Sequence, residues 1–113
     1  IIQHERQKYI KCLILTETIF SMDGDRAPLK ELIEIAQSYD SLLISDDAHG
    51  LGILKHEMED SVPYHIQIGT LSKAAGSYGG YVAGAHQVIR YIQQKARSLL
   101  FSTALPPSVL AAS

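Results

Sequence analysis

A lysine becomes a nucleophile only where its surroundings make it one, and Lys73 stands where the sequence could do so. It follows a candidate strand and precedes Ala74-Ala75-Gly76-Ser77-Tyr78-Gly79-Gly80, whose three glycines in five positions call for unusual backbone angles or a close approach. In a partly buried pocket, desolvation or a neighbouring cation frees an amine for Schiff-base chemistry. A solvated loop lysine is the alternative, and on this feature alone the commoner one.

The second cluster is Asp46-Asp47-Ala48-His49-Gly50, at the carboxyl end of another apolar run. An aspartate in such a place suits the pyridine nitrogen of pyridoxal phosphate, whose protonated ring is an electron sink for a carbanion. Asp46 is placed for that role, and His49 could donate to the ring or stack on it. Asp47 is as well explained by structure. Taken alone, an Asp-Asp-x-His loop is more often a matter of helix capping or solvent contacts, and Asp46, Asp47, His49 and His65 together admit a metal reading whose spacing fits no strong signature. Two nucleotide motifs fail on spacing: Gly50-Leu51-Gly52 is followed by Lys55 where a third glycine belongs, and no G-x-x-x-x-G-K-[ST] occurs. A phosphate would instead need hydroxyls such as those of Thr70, Ser72, Ser77, Ser102 and Thr103, or a nest of backbone N–H groups over Gly76 to Gly80.

These residues need elements to position them. Lys11 to Thr16 reads as a buried strand, and Pro28 opens a helix to Ser38 on which Leu29, Leu32, Ile33 and Ala36 form one apolar stripe. Ser41 to Ser45 is a second strand, parallel to the first in a unit the size of a βαβ crossover. His65 to Leu71 and Tyr81 to Ala83 are further strands, and Val88, Ile89, Ile92, Ala96, Leu99 and Leu100 predict a helix over roughly Gln87 to Leu99. Ligands in such open α/β sheets sit at the carboxyl ends of the strands, where both clusters fall.

Composition narrows the classes. The 113 residues allow one domain, and 46% hydrophobic with 19% charged residues predicts a globular chain. Ten basic against twelve acidic residues, interspersed, leave no nucleic-acid or membrane footprint. Cys12, the single cysteine, reads as a small buried hydrophobe in a reducing compartment, so cytoplasm is expected. The chain starts without Met and stops at Ala111-Ala112-Ser113, inside a helix that Pro106-Pro107 opens, so residues 1–113 are expected to be a fragment truncated at both ends.

Taken in order, Ser21-Met22-Asp23-Gly24-Asp25, Asp46-Asp47-Ala48-His49-Gly50-x-Gly52, Gly69-Thr70-Leu71-Ser72-Lys73-Ala74-x-Gly76-x-x-Gly79-Gly80 and Phe101-Ser102-Thr103-x-Leu105-Pro106-Pro107 resemble the α-oxoamine synthase family. Its members are pyridoxal phosphate enzymes of fold type I. The resemblance implies part of their large, cofactor-binding domain, a three-layer α/β/α arrangement around a mostly parallel sheet, in a homodimer. It implies that Lys73 links covalently to the cofactor, Asp46 pairs with the pyridinium nitrogen, His49 contacts the ring's 3-oxygen, and Ser21 reaches the cofactor. Thr70 would bind the phosphate, and Thr103 would reach it from the partner subunit. The forms around Asp46 and Lys73 are most similar to the biotin-pathway branch, which implies condensation of L-alanine with pimeloyl-CoA and loss of carbon dioxide. Lys55 departs from the pattern, standing where the family has a glycine. The family's ring-stacking residue, upstream phosphate loop and substrate-carboxylate arginine have no counterpart here, so the piece alone is not expected to be a competent enzyme. Glu17 lies in a matching Thr-Glu segment without an evident role.

Overall fold

A computed structural model describes residues 1–53 and 64–113. Lys55, the departure from the family pattern, lies outside the described residues. Four strands form one sheet in the order β1 (Leu13–Glu17), β2 (Leu42–Asp46), β3 (His65–Thr70), β4 (Gly80–Gly84). The first three run parallel and β4 returns antiparallel to β3, giving the mostly parallel α/β sheet expected from the sequence. A short helix α1 (Ile2–Glu5) precedes the sheet, α2 (Leu29–Ser38) joins β1 to β2, and α3 (His86–Lys95), α4 (Arg97–Leu100) and α5 (Pro107–Ala112) follow it.

Side chains alternate between the two faces of a strand, so register sorts the whole sheet. Leu13 pairs with Leu42, and Leu43 with His65. One face therefore carries Ile14, Leu43, Ser45, His65 and Gln67. The apolar stripe of α2 closes over it: Ile33, Ala36 and Leu43 form the buried core, with Ile14 and Leu32 packed against them. The helix ends before Asp40, which adopts φ 45°, and Arg6 donates to the carbonyls just beyond its end, Tyr39 O at 2.6 Å and Asp40 O at 2.9 Å. The opposite face carries Leu13, Leu15, Ile68 and Val82, which stay 57%, 71%, 37% and 40% exposed in this chain.

Two expectations change. The helix foreseen over Gln87 to Leu99 is two helices, because Ala96 leaves the helical region at φ −73°, ψ 100° and its carbonyl caps the next turn through the N–H groups of Leu99 and Leu100. The apolar period runs through the break, so the spacing could not reveal it. Cys12 is only partly buried, since it precedes β1 rather than lying within it.

Candidate functional site

The carboxyl ends of β1, β2 and β3 point the same way, and each leads into a segment bearing one of the sequence motifs. Asp46 closes β2, paired with Glu17 of β1 and Ile68 of β3. The pleat directs its carboxylate to the face opposite Leu43 and Ser45, where it is exposed and Oδ1 accepts from the Ala48 N–H at 2.9 Å. That local turn fixes the carboxylate's direction. Two residues on, the chain turns back as the N–H groups of Gly50 and Leu51 both donate to Asp47 O, which holds half-buried His49 at the edge of the sheet.

Beyond β3 the loop brings Lys73 to His49, with Nζ 2.9 Å from Nε2 across 24 residues of sequence. With the lysine as an ammonium, Nζ donates and Nε2 accepts, which leaves the imidazole proton on Nδ1. Lys73 is exposed, as the solvated loop reading has it, and does not sit in a partly buried pocket. What distinguishes it from an ordinary loop lysine is its partner.

Thr70 is oriented at the root of this loop. Its hydroxyl lies 2.7 Å from Ser72 Oγ, donates to Gly79 O at 3.1 Å and accepts from the Ser72 N–H at 3.3 Å. The expected nest over Gly76 to Gly80 is partly closed: the Gly76 N–H donates to Lys73 O and the Ser77 N–H to Leu71 O, so these donors hold the loop rather than face outward. Gly76 and Gly79 take φ of 61° and 108°, as the loop's path requires.

Ser21 and Thr103 are exposed, and no hydrogen bond joins either to Lys73, His49 or Asp46 among the described residues. Ser21 instead donates its N–H to Glu17 Oε2 at 3.2 Å, which gives Glu17 a role in holding the turn after β1. The segment carrying Thr103 nonetheless packs beside the glycine loop, since Leu105 occupies the space next to Gly79.

The adjacent aspartates, alike in sequence, have opposite environments. Asp47 is 3% exposed, on the α2 side of the sheet. Thr18 Oγ1 donates to its Oδ1 at 2.6 Å, while Gln67 Nε2 and Tyr81 Oη donate to Oδ2 at 2.8 and 3.4 Å. Burial, then the charge of Asp47, pushes the Tyr81 phenol's pKa above its ordinary value. The ring Nε2 of His65 lies 2.7 Å from Ser45 Oγ in the interior, and burial lowers its pKa. The metal reading therefore loses its ligand set: Asp47 and His65 are engaged on one face while Asp46 lies on the other, and among the described residues no group of three His, Cys, Asp or Glu side chains could hold an ion. The Asp47 network was not foreseen, although Gly50 and Gly69 were its signal. A Cβ on Gly50 would collide with Asp47 Oδ1, and one on Gly69 would lie 2.5 Å from Tyr81 Oη.

The donor set fits pyridoxal phosphate: an accessible primary amine beside an imidazole, a carboxylate fixed at a strand end, and a hydroxyl oriented at the loop root. No helix among the described residues is long and apolar enough to cross a membrane.

Comparison with known proteins extends this. The chain is 49% identical over 97% of its length to a putative 8-amino-7-oxononanoate synthase of Aquifex aeolicus, and 47% identical over 95% to an 8-amino-7-oxononanoate synthase of Methylobacterium radiotolerans. It spans 31% and 28% of those relatives. Among solved structures, a serine palmitoyltransferase of S. paucimobilis carrying a pyridoxal phosphate–myriocin adduct matches 90% of the chain with a TM-score of 0.78 and 30% identity, over 28% of its own length. The 8-amino-7-oxononanoate synthase of Francisella tularensis matches 98% with a TM-score of 0.68 and 28% identity, over 35% of its length. These neighbours are fold type I pyridoxal phosphate transferases, as the motifs implied. Because the family model for aminotransferase class I and II matches residues 2–113, nearly the whole of what the strands and loops above are built from, the chain belongs to the aminotransferase class I and II family.

Proposed function

We propose that the protein carrying this chain condenses L-alanine with an acyl-CoA, pimeloyl-CoA being the donor, to release 8-amino-7-oxononanoate, CoA and carbon dioxide. Residues 1–113 form part of its cofactor-binding large domain, and the working enzyme is a cytoplasmic homodimer. The observation that carries this reading is the 2.9 Å contact between Lys73 Nζ and His49 Nε2 at the carboxyl edge of the sheet that ends in Asp46. The names of the relatives support the substrates.

Pyridoxal phosphate, when bound, supplies an electron sink that stabilises negative charge on the substrate's α-carbon. The residues of this chain do the rest. Lys73 would hold the cofactor, and its amine is placed to act as a base for the α-proton. His49 Nε2 lies within proton-transfer distance of that amine and would be the residue to meet the ring's 3-oxygen. Asp46, its direction fixed by the Ala48 N–H, places negative charge where a protonated ring nitrogen is favoured. Thr70 and Ser21 offer hydroxyls to the cofactor, and Thr103 serves the partner subunit's site.

A second reading, another α-oxoamine synthase, is favoured by the TM-score of the serine palmitoyltransferase neighbour. Release of free CoA thiol by the full-length protein separates the two. L-Alanine with pimeloyl-CoA is expected to be the best pair, and Lys73→Ala is expected to abolish release. Preference for glycine or serine with acetyl-, succinyl- or palmitoyl-CoA would establish the second reading. Thiol release unaffected by Lys73→Ala, or none with any pair, would leave the motifs as a non-catalytic remnant.

A further inference from the structure

We propose that Asp47 is a positioning residue of this site, a buried group that sets the three motif-bearing segments relative to one another; this rests on the reading of Lys73, His49 and Asp46 given above. Its partners come from the other three strands or their ends. Thr18 directly follows β1 and leads into the Ser21 turn, Gln67 lies in β3 just before Thr70 and Lys73, and Tyr81 lies in β4 where the glycine loop returns. The backbone of Asp47 extends the same clamp, its N–H donating to Ile68 O and its carbonyl accepting from Gly50 and Leu51 at the turn that carries His49. Asp46 precedes it directly, so a rotation of Asp47 about the chain moves the Asp46 carboxylate and His49 together.

Three features mark this as a built network. The carboxylate is almost wholly buried, and among the described residues the hydrogen bonds it accepts come from neutral hydroxyls and an amide rather than from a cation. Gly50 leaves the space that the carboxylate and the Thr18 hydroxyl fill. Gly69, paired with Tyr81 across β3 and β4, lets the phenol ring lie over the strand and reach Asp47. Both glycines belong to the motifs. A fixed supporting layer of this kind is what holds catalytic groups to within a fraction of an ångström.

The test uses the full-length holoenzyme with Asp47→Asn, Thr18→Val and Tyr81→Phe, reading the induced circular dichroism of the bound cofactor, kcat/KM and Tm. A misplacement of about 1 Å costs on the order of 100-fold, so Asp47→Asn is expected to lower kcat/KM by about 10- to 100-fold and to change the dichroic band, because the cofactor's setting against Asp46 and His49 changes. Thr18→Val and Tyr81→Phe are expected to do the same to a smaller degree, and they carry the test if Asp47→Asn does not fold. A lowered Tm with an unchanged dichroic band and unchanged kcat/KM would overturn the proposal and leave Asp47 a purely structural residue. A wild-type protein that shows no cofactor band would instead overturn the underlying reading of Lys73, and this inference with it.

Discussion

Replacing Gly50 by alanine isolates the packing on which the site depends. Gly50 is buried and has no positive φ, so alanine brings no backbone strain, and by restricting the unfolded chain it would stabilise by about 0.4 to 1 kcal/mol if there were room. There is none. The new Cβ would collide with Asp47 Oδ1 and stand 2.5 Å from Thr18 Oγ1 and 3.1 Å from Asp47 Cγ. Either the 2.6 Å hydrogen bond from Thr18 to Asp47 opens, at about 1.5 to 3 kcal/mol for a bond to a charged group, or the turn shifts, at about 1 to 3 kcal/mol for overpacking. The net expectation is destabilisation by about 1 to 2 kcal/mol, read as a lower urea midpoint with unchanged slope. A double-mutant cycle identifies the cause. In a Thr18→Ala background the bond is already absent and the carboxylate can turn aside, so Gly50→Ala should cost less there than in the wild type. A Gly50→Ala protein as stable as the wild type, or strictly additive costs, would refute the reasoning.

Three further outcomes follow from the same geometry. His49→Ala should leave the link between Lys73 and the cofactor intact, as seen by absorbance, while lowering kcat by about 100-fold, the scale of a lost acid–base group; unchanged turnover would remove His49 from the chemistry. Because burial lowers the pKa of His65 below that of the unfolded chain, the folded state takes up fewer protons there. The stability this confers is present above the ordinary histidine range near 6.5 and is lost as pH falls through and below it. Urea midpoints between pH 5 and 7 should show that slope in the wild type and a flatter one in His65→Gln. The 113 residues expressed alone should self-associate through the exposed face bearing Leu13 and Leu15, and sedimentation as a monomer with a sharp, reversible melt would contradict this.

How much of this was legible in the sequence depends on range. The strands, α2 and the placement of Asp46 follow from local periodicity, and His49 and Lys73, singled out in two separate motifs, do meet. The sorting of Asp46 and Asp47 to opposite faces was written in the pleat, but it needed the strand's last residue to be known. The partners of Asp47 lie 29, 20 and 34 residues away, and register alone brings them together. No local pattern encodes that. The break at Ala96 was hidden for the opposite reason, since the apolar spacing continues across it. Among the described residues no hydrogen bond joins Ser21 or Thr103 to Lys73, so the role proposed for each rests on the resemblance, and that of Thr103 also on the proposed partner subunit.

The central claim is that Lys73 is the residue that holds the cofactor. Borohydride reduction of the full-length protein with pyridoxal phosphate bound, followed by peptide mass mapping, tests it directly. A pyridoxyl group on the peptide containing Lys73 is the expected result. A well-folded protein with no pyridoxyl group, or with the group on another lysine, would contradict the account.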